Sequence, residues 1–143
     1  MTSTDNDGLA ATLIQLSDLS RQLRKLHKAL IDAETRRFAQ PVGSALEHLQ
    51  LITTHPQFAW LLKLSGAMAE LDERLDDKEQ PLDAAGAQGL RTGIEALIGP
   101  GPASDPAFRA QYTALFQEAP AVVMAHGAVR QLLDSIKQPA AKH

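Results

Sequence analysis

The stretch over residues 54–77 constrains the fold more than any other part of the chain. It reads TTHPQFAWLLKLSGAMAELDERLD and contains Trp60, the only tryptophan. Residues 58–69 are apolar nearly all the way round a helix, interrupted mainly by Lys63 and Ser65. A helix without a polar face needs other elements on every side. We therefore expect this helix to lie at the centre of an all-α domain.

A heptad pattern precedes the central stretch. Apolar residues recur at alternating spacings of 3 and 4, at Leu16, Leu19, Leu23, Leu26, Leu30 and Ala33. This pattern is the narrow seam that one helix presents to a near-parallel partner. We expect the helix to begin near residues 7–9 and to end near residues 38–40, because Pro41 disfavours helical geometry in the residue before it.

Capping residues and prolines divide the rest of the chain into short helices. Ser44 and Glu47 form a predicted capping box, and Asp83 and Asp105 are predicted N-caps. Pro56, Pro106 and Pro120 suit the first position of a helix. In the short helix after Ser44 the expected inward residues are Ala45, Leu46, Leu49 and Ile52. In the central helix they are Phe58, Leu61, Leu62, Ser65, Met68, Leu71 and Leu75.

These patterns predict an all-α, single-domain helical bundle of five to six helices. The expected core is an up-and-down arrangement of four helices, namely the first, the central and the last two, with short extra helices around them. The bundle domain covers residues 9–137, with a flexible N-terminus at 1–8 and a flexible tail at 138–143. Alternating β-branched runs typical of strands are scarce.

Composition narrows the function classes. The net charge of −3 and pI near 5.9 give no overall attraction to nucleic acid or to anionic lipid. The chain has no Cys, which removes disulfides and thiolate chemistry and suits a reducing cytoplasm. No apolar run approaches the roughly 20 residues of a membrane span. We expect a soluble, cytoplasmic protein that binds neither nucleic acid nor membrane.

The histidines are the first candidates for chemistry. His126 falls within the apolar stripe of Val122, Val129 and Leu133, so its ring is predicted to point into the bundle. It is a ligand contact, a buried pH-sensitive group, or a core histidine held by a carboxylate, by Tyr112 or by a backbone carbonyl, and the core role is favoured. His27 is expected at an interface or in solvent, His55 at a helix start and His48 at the surface.

Catalytic and metal-binding patterns are missing from the sequence. There is no His-x-x-x-His and no Glu-x-x-His spacing. Ser65 lies outside any G-x-S-x-G context, and Lys63 is expected to extend its amine to water. The predicted protein is not an enzyme and holds no metal or cofactor.

Two further features have more than one interpretation. Acidic residues cluster over 70–79 and basic residues over 21–37. The basic stripe either docks an anionic partner or forms a solvated face attracted to the acidic one, and the second is favoured. Gly86, Gly89 and Gly93 share one side of a helix. Such a face allows close helix packing, makes the helix mobile or leaves room for a ligand, and the first two are favoured.

Three stretches, LRKLHKALIDAETRRF (23–38), THPQFAWLLKLSGAMAELDE (54–73) and FRAQYTALFQEAPAVVMAHGAVRQLL (108–133), together resemble a family of small uncharacterised bacterial proteins. The resemblance covers most of the chain except its ends and residues 78–105. It implies a small bacterial all-helical protein and brings no activity, substrate, cofactor or functional residue.

The leading hypothesis is a non-enzymatic helical protein–protein interaction module that binds a protein partner or forms a homo-oligomer. It depends on the heptad seam, the glycine-lined face and the missing catalytic patterns. The alternative is a bundle that binds a small apolar molecule in a pocket near Trp60, Met68 and His126. The candidate pocket or interaction residues are His27, Trp60, Met68, His126 and Arg130.

Overall fold

The computed structural model describes residues 2–37, 43–99, 101 and 103–136, and this part of the chain is an all-α helical bundle. Its α-helices are α1 (Thr2–Arg37), α2 (Ala45–Thr54), α3 (Leu62–Asp76), α4 (Ala84–Ile98), α5 (Pro106–Phe116) and α6 (Pro120–Ile136). A 3₁₀-helix, Pro56–Leu61, joins α2 to α3. The described residues contain no strand. The predicted fold class is therefore confirmed.

Helix α1 is the axis of the bundle. All members of the heptad seam are buried, and its five leucines are completely buried. The members are Leu16, Leu19, Leu23, Leu26, Leu30 and Ala33. The helix packs most extensively on α6, and it also contacts α3, the 3₁₀-helix and α4. It begins at Thr2, earlier than predicted, whereas its predicted end at residues 38–40 and the predicted tail at 138–143 lie outside the described residues. The seam is confirmed, and its partners belong to the same chain.

The central position predicted for residues 54–77 is wrong. This stretch is two elements, and α3 has an outer face on which Leu62 is 59% exposed. Leu64, which was not on the predicted face, is completely buried. The cause is the 3₁₀-helix, which has about 3.0 residues per turn where an α-helix has about 3.6, so the first residues of α3 point in other directions than in one continuous α-helix. Phe58, Leu61 and Leu71 are buried as predicted.

Other members of that predicted face, Ser65, Met68 and Leu75, are only half-buried, and the last two pack against the edge of the core.

Helix α2 is rotated from its predicted orientation, so that Ile52 points inward as predicted and the other three predicted residues do not. Leu46 and Leu49 are 63% and 57% exposed, and Ala45 is also exposed. The helix contacts the 3₁₀-helix and turns its half-buried residues, His48, Leu51 and Ile52, toward the protein. The predicted cap is present, since Ser44 Oγ accepts a hydrogen bond from Glu47 N–H at 3.1 Å.

The charged faces of α1 and α3 attract each other. Arg24 lies 3.1 Å from Asp72 Oδ2, and Ser20 donates a hydrogen bond to the other oxygen of that carboxylate. Lys63 is exposed, as predicted, with its amine 3.6 Å from the Asp105 carboxylate. The favoured interpretation of the two charged stretches agrees with these contacts.

The prediction of close helix packing at the glycine-lined face of α4 is wrong. A Cβ atom added to Gly89 or Gly93 would have no heavy atom within 4 Å. These glycines line an open groove between α4 and α3, whose other wall includes Ala67 and Glu70. Within the described residues, no helix combines the length and the apolar character that a bilayer crossing requires.

Candidate functional site

A cleft of about 380 Å³ lies where α5 and α6 meet the C-terminal end of α4. Two of the candidate residues from the sequence, His126 and Arg130, line it together on α6. They are four positions apart and therefore lie on one face of the helix. Helix α5 contributes Arg109, Tyr112 and Phe116, which share its inner side at spacings of 3 and 4. We call this feature the His126 cleft.

The Tyr112 hydroxyl fixes the hydrogen-bonding state of His126. Its oxygen lies 2.7 Å from His126 Nδ1, and Tyr112 is completely buried. A buried O–H needs an acceptor, and Nδ1 is the acceptor that the described residues offer. The hydroxyl therefore donates to Nδ1, which leaves the imidazole proton on Nε2. No described residue hydrogen-bonds to Nε2, so this N–H is a donor without a protein acceptor.

Burial disfavours the charged forms of both His126 and Tyr112. Burial lowers the pKa of His126 below its ordinary value, and the guanidinium groups of Arg130 and Arg109 lower it further. Burial raises the pKa of the Tyr112 hydroxyl, against a smaller opposing effect of Arg109. A neutral imidazole and a protonated phenol are the forms that the hydrogen bond between them requires.

Arg109 forms the charged end of the cleft while it caps α4. Its Nε donates to the carbonyl of Leu97 at 2.9 Å, NH2 to that of Ala96 at 2.7 Å and NH1 to that of Gly101 at 3.0 Å. These acceptors belong to the last turn of α4 and the loop after it, where backbone carbonyls lack helical partners. These acceptors carry only partial charge, and no carboxylate of the described residues forms an ion pair with Arg109, so its positive charge is not balanced locally.

Arg130 is held less completely. Its NH2 donates to Asp134 at 3.1 Å, and NH1 lies 3.7 Å from Glu95 Oε2, too far for a hydrogen bond. NH1 is buried and has no hydrogen-bond partner among the residues that the structure describes. Gly99 leaves room for the guanidinium here, because a Cβ there would lie 2.9 Å from NH1 and 2.6 Å from the carbonyl oxygen of Glu95. A larger residue would displace the guanidinium.

The remaining candidate residues lie elsewhere. Trp60 is buried, and its Nε1–H donates to Glu34 Oε2 at 2.6 Å. Its ring contacts Phe108, which stacks on Tyr112, so aromatic packing links Trp60 to His126 without a shared cavity. Met68 is half-buried on α3. The structure thus does not bring Trp60 and Met68 into the His126 cleft.

The other three histidines that the structure describes have local partners. His27 is half-buried with Nε2 3.0 Å from Ser65 Oγ, and burial lowers its pKa. His55 caps the 3₁₀-helix by accepting from Gln57 N–H at 3.1 Å, as its predicted place at a helix start requires. His48 is half-buried rather than exposed, because its Nε2 lies 2.9 Å from Thr35 Oγ1 on α1.

Several polar residues of the structure were not found from the sequence. Glu34 is 2% exposed, and Arg91 is 8% exposed with its Nε donating to the carbonyl of Leu133 near the end of α6. Arg109 is the most important of them for the cleft. The only local signal was its spacing from Tyr112 and Phe116, which places all three on one helix face.

A second exposed feature lies on α2. Leu46 and Leu49 are neighbours at spacing 3, and Ala45 and Thr53 extend the same stripe. No residue of α2 is buried in the bundle. We call this stripe the α2 leucine face.

The fold defines the chain as an all-α helical bundle, and comparison with known proteins does not assign it to a narrower class. Comparison with protein-family models, with curated proteins and with solved structures finds no match. The resemblance to a bacterial helical family stays a prediction. Among the described residues, no group of three or more His, Asp or Glu is placed to hold a metal ion.

Proposed function

We propose that the protein is a non-enzymatic helical interaction module that self-associates through the α2 leucine face. The observation that carries the proposal is the exposure of Leu46 and Leu49, at 63% and 57%, on a helix that buries no residue in its own bundle. The heptad seam of α1 cannot serve this purpose, since it is covered within the chain.

The length of α2 supports the need for a partner. Isolated helices shorter than about 12–15 residues are marginal in water, and most helical stability comes from packing an apolar face. Helix α2 has 10 residues, and Leu46 and Leu49 contribute nothing to the core. A second apolar surface over these leucines would supply the missing packing free energy.

The composition of α2 suits pairing with a second copy. In a two-fold dimer each surface meets itself, so a like charge at its centre would be repelled. Glu47 is the only Asp, Glu, Lys or Arg of α2. From the helical repeat of about 3.6 residues it lies well away from the stripe of Leu46 and Leu49. Two copies of α2 can therefore pack leucine to leucine without opposing their charges.

Sedimentation velocity over a wide concentration range tests the proposal. The wild type should shift from monomer toward dimer, while the Leu46→Lys, Leu49→Lys double variant should stay monomeric with unchanged helical circular dichroism. Ile14→Lys is the matched control, because Ile14 is 65% exposed on α1, outside the proposed interface. A wild type that remains monomeric at hundreds of micromolar, or a double variant that still dimerises, would refute self-association through α2.

A further inference from the structure

We propose that the His126 cleft binds a small organic monocarboxylate, with the carboxylate between His126 and Arg130 and the apolar body against Phe116 and Ile98. This site is independent of the α2 leucine face. It differs from the pocket expected from the sequence, which placed Trp60 and Met68 beside His126. The proposal starts from two unsatisfied hydrogen-bond donors that line one cleft.

Both donors are positioned by the protein, and neither has an acceptor in the described part of the chain. The hydrogen bond from Tyr112 commits His126 to the tautomer with its proton on Nε2. Arg130 NH1 is buried without a hydrogen-bond partner, and the close backbone at Gly99 leaves room for it. Arg130 NH1 is a buried donor without an acceptor, which costs free energy. A carboxylate has two oxygens, one for this donor and one for the half-exposed Nε2–H of His126. One bound group would therefore satisfy both donors.

The charges around the cleft favour an anion with a single negative charge. Arg109 is bonded to backbone carbonyls only, as described above, and Arg130 shares Glu95 and Asp134 as carboxylate neighbours. Glu95 is also paired with Arg91. The three arginines against these two carboxylates leave one net positive charge, which a monocarboxylate would balance. A cation would be repelled by Arg109 and would find no acceptor at Nε2.

Size and lining point to an organic anion rather than an inorganic one. The volume of about 380 Å³ lies within the roughly 300–1,000 Å³ range of small-molecule sites. Phe116 packs edge-on to Tyr112 and contacts the His126 ring at 4.8 Å between centroids. Ile98 completes an apolar wall. Such a wall suits a ring or short alkyl chain, which phosphate or sulfate lacks.

Benzoate is the probe for a first titration, followed by the ¹⁵N resonances of His126 in the wild-type protein. A carboxylate that accepts from Nε2–H should shift the Nε2 resonance in a saturable way, whereas the resonances of His48 should stay in place. Benzamide has the same ring and no charge, and inorganic phosphate has charge and no ring. Both should bind at least about tenfold more weakly than benzoate, the effect of losing one charge-assisted hydrogen bond or the apolar contact.

Two variants assign the second donor. Arg130→Met should weaken benzoate at least about tenfold, because it removes the guanidinium and keeps an unbranched apolar side chain. Arg24→Met is the control, since Arg24 is also ion-paired but lies on α1 against Asp72, and it should leave benzoate affinity unchanged. The proposal is overturned if benzoate leaves the Nε2 resonance of His126 unmoved at tens of millimolar. It is equally overturned if benzamide or phosphate matches benzoate, or if Arg130→Met binds like the wild type.

Discussion

At the scale of single residues, His126 is the clearest case of a role that the sequence could only restrict. The apolar stripe on α6 predicted an inward ring, and the ring is half-buried. It left a carboxylate, Tyr112 and a backbone carbonyl open as partners, and the structure selects Tyr112. The choice depends on the relative position of α5 and α6 along their axes, and the sequence pattern of neither helix specifies that position.

The lowered pKa of His126 predicts a specific pH dependence of stability. Because the folded state disfavours the imidazolium, the unfolded chain binds more protons once the pH falls below the unfolded pKa of about 6.5. The free energy of unfolding should therefore be full above this pH and decrease as the pH falls toward the lower folded pKa. Urea unfolding between pH 7.5 and 5.5 measures this decrease.

His126→Gln isolates the contribution of that residue, because a glutamine oxygen can still accept from Tyr112 and does not titrate. Its decrease in stability over the same pH range should be smaller than that of the wild type. His27, whose pKa is also lowered, titrates in both proteins and cancels in the comparison. Equal slopes in the two proteins would show that His126 is protonated equally well in the folded and unfolded states.

Glu34 shows what residue-level patterns miss. It follows the last seam residue of α1, where a charged residue is normally solvated. Instead its carboxylate accepts from the buried Trp60 Nε1–H and lies 3.4 Å from Arg37, while Gln57 donates to its backbone carbonyl at 3.2 Å. A buried tryptophan N–H needs an acceptor, so a partner was foreseeable. Its identity depends on the approach of the 3₁₀-helix to the end of α1.

At the scale of elements, boundaries were predictable where a side chain acts on its own backbone. Ser44, Asp83 and Asp105 all accept from the backbone N–H three residues later, as their capping roles require. Helix faces were less predictable. The six residues of the 3₁₀-helix change the direction of the first residues of α3, so Leu62 and Leu64 exchange their expected places, whereas Leu71 is buried as predicted.

Because the groove beside α4 is open, we expect substitutions of its glycines to stabilise that helix. Gly89 and Gly93 have helical geometry, and an added Cβ would meet nothing within 4 Å at either position. Gly89→Ala and Gly93→Ala should each raise the free energy of unfolding by about 0.5–1 kcal/mol, because alanine loses less backbone entropy on folding. Chemical denaturation of the single and double variants measures the gain.

Gly99→Ala is the contrasting variant for this comparison. A Cβ at that position would lie 2.6 Å from the backbone oxygen of Glu95, so this change should lower stability. If Gly89→Ala or Gly93→Ala destabilised the protein as Gly99→Ala does, the groove would have to be filled by packing in solution.

At the scale of the whole molecule, fold class followed from local signals while the arrangement did not. Helical periodicity and proline breaks are properties of short segments, and they correctly gave an all-α bundle. Which helix lies at the centre depends on the total area each one covers. The apolar stretch around Trp60 suggested α3, yet the seam of α1 is contacted by α6, α3 and α4. The sequence predicted only the α6 residues of the His126 cleft, because these share one stripe of their helix. Its α5 and α4 residues are brought to the cleft by the packing of separate helices, which no local pattern predicts.

The position of α1 predicts that one charge in its seam disrupts the whole domain. Leu26 is completely buried, so Leu26→Asp removes a core side chain and buries a carboxylate without a partner. Core leucine truncation alone costs about 2–5 kcal/mol, and the unpaired charge adds to this. The sum approaches the roughly 5–15 kcal/mol that stabilises a typical domain. Leu26→Asp should therefore unfold, with loss of helical circular dichroism.

Leu49→Asp makes the same chemical change on the exposed α2 leucine face, and the monomer should remain folded within about 0.5 kcal/mol of the wild type. A folded Leu26→Asp monomer would mean that the seam faces a second copy of the chain instead of α6.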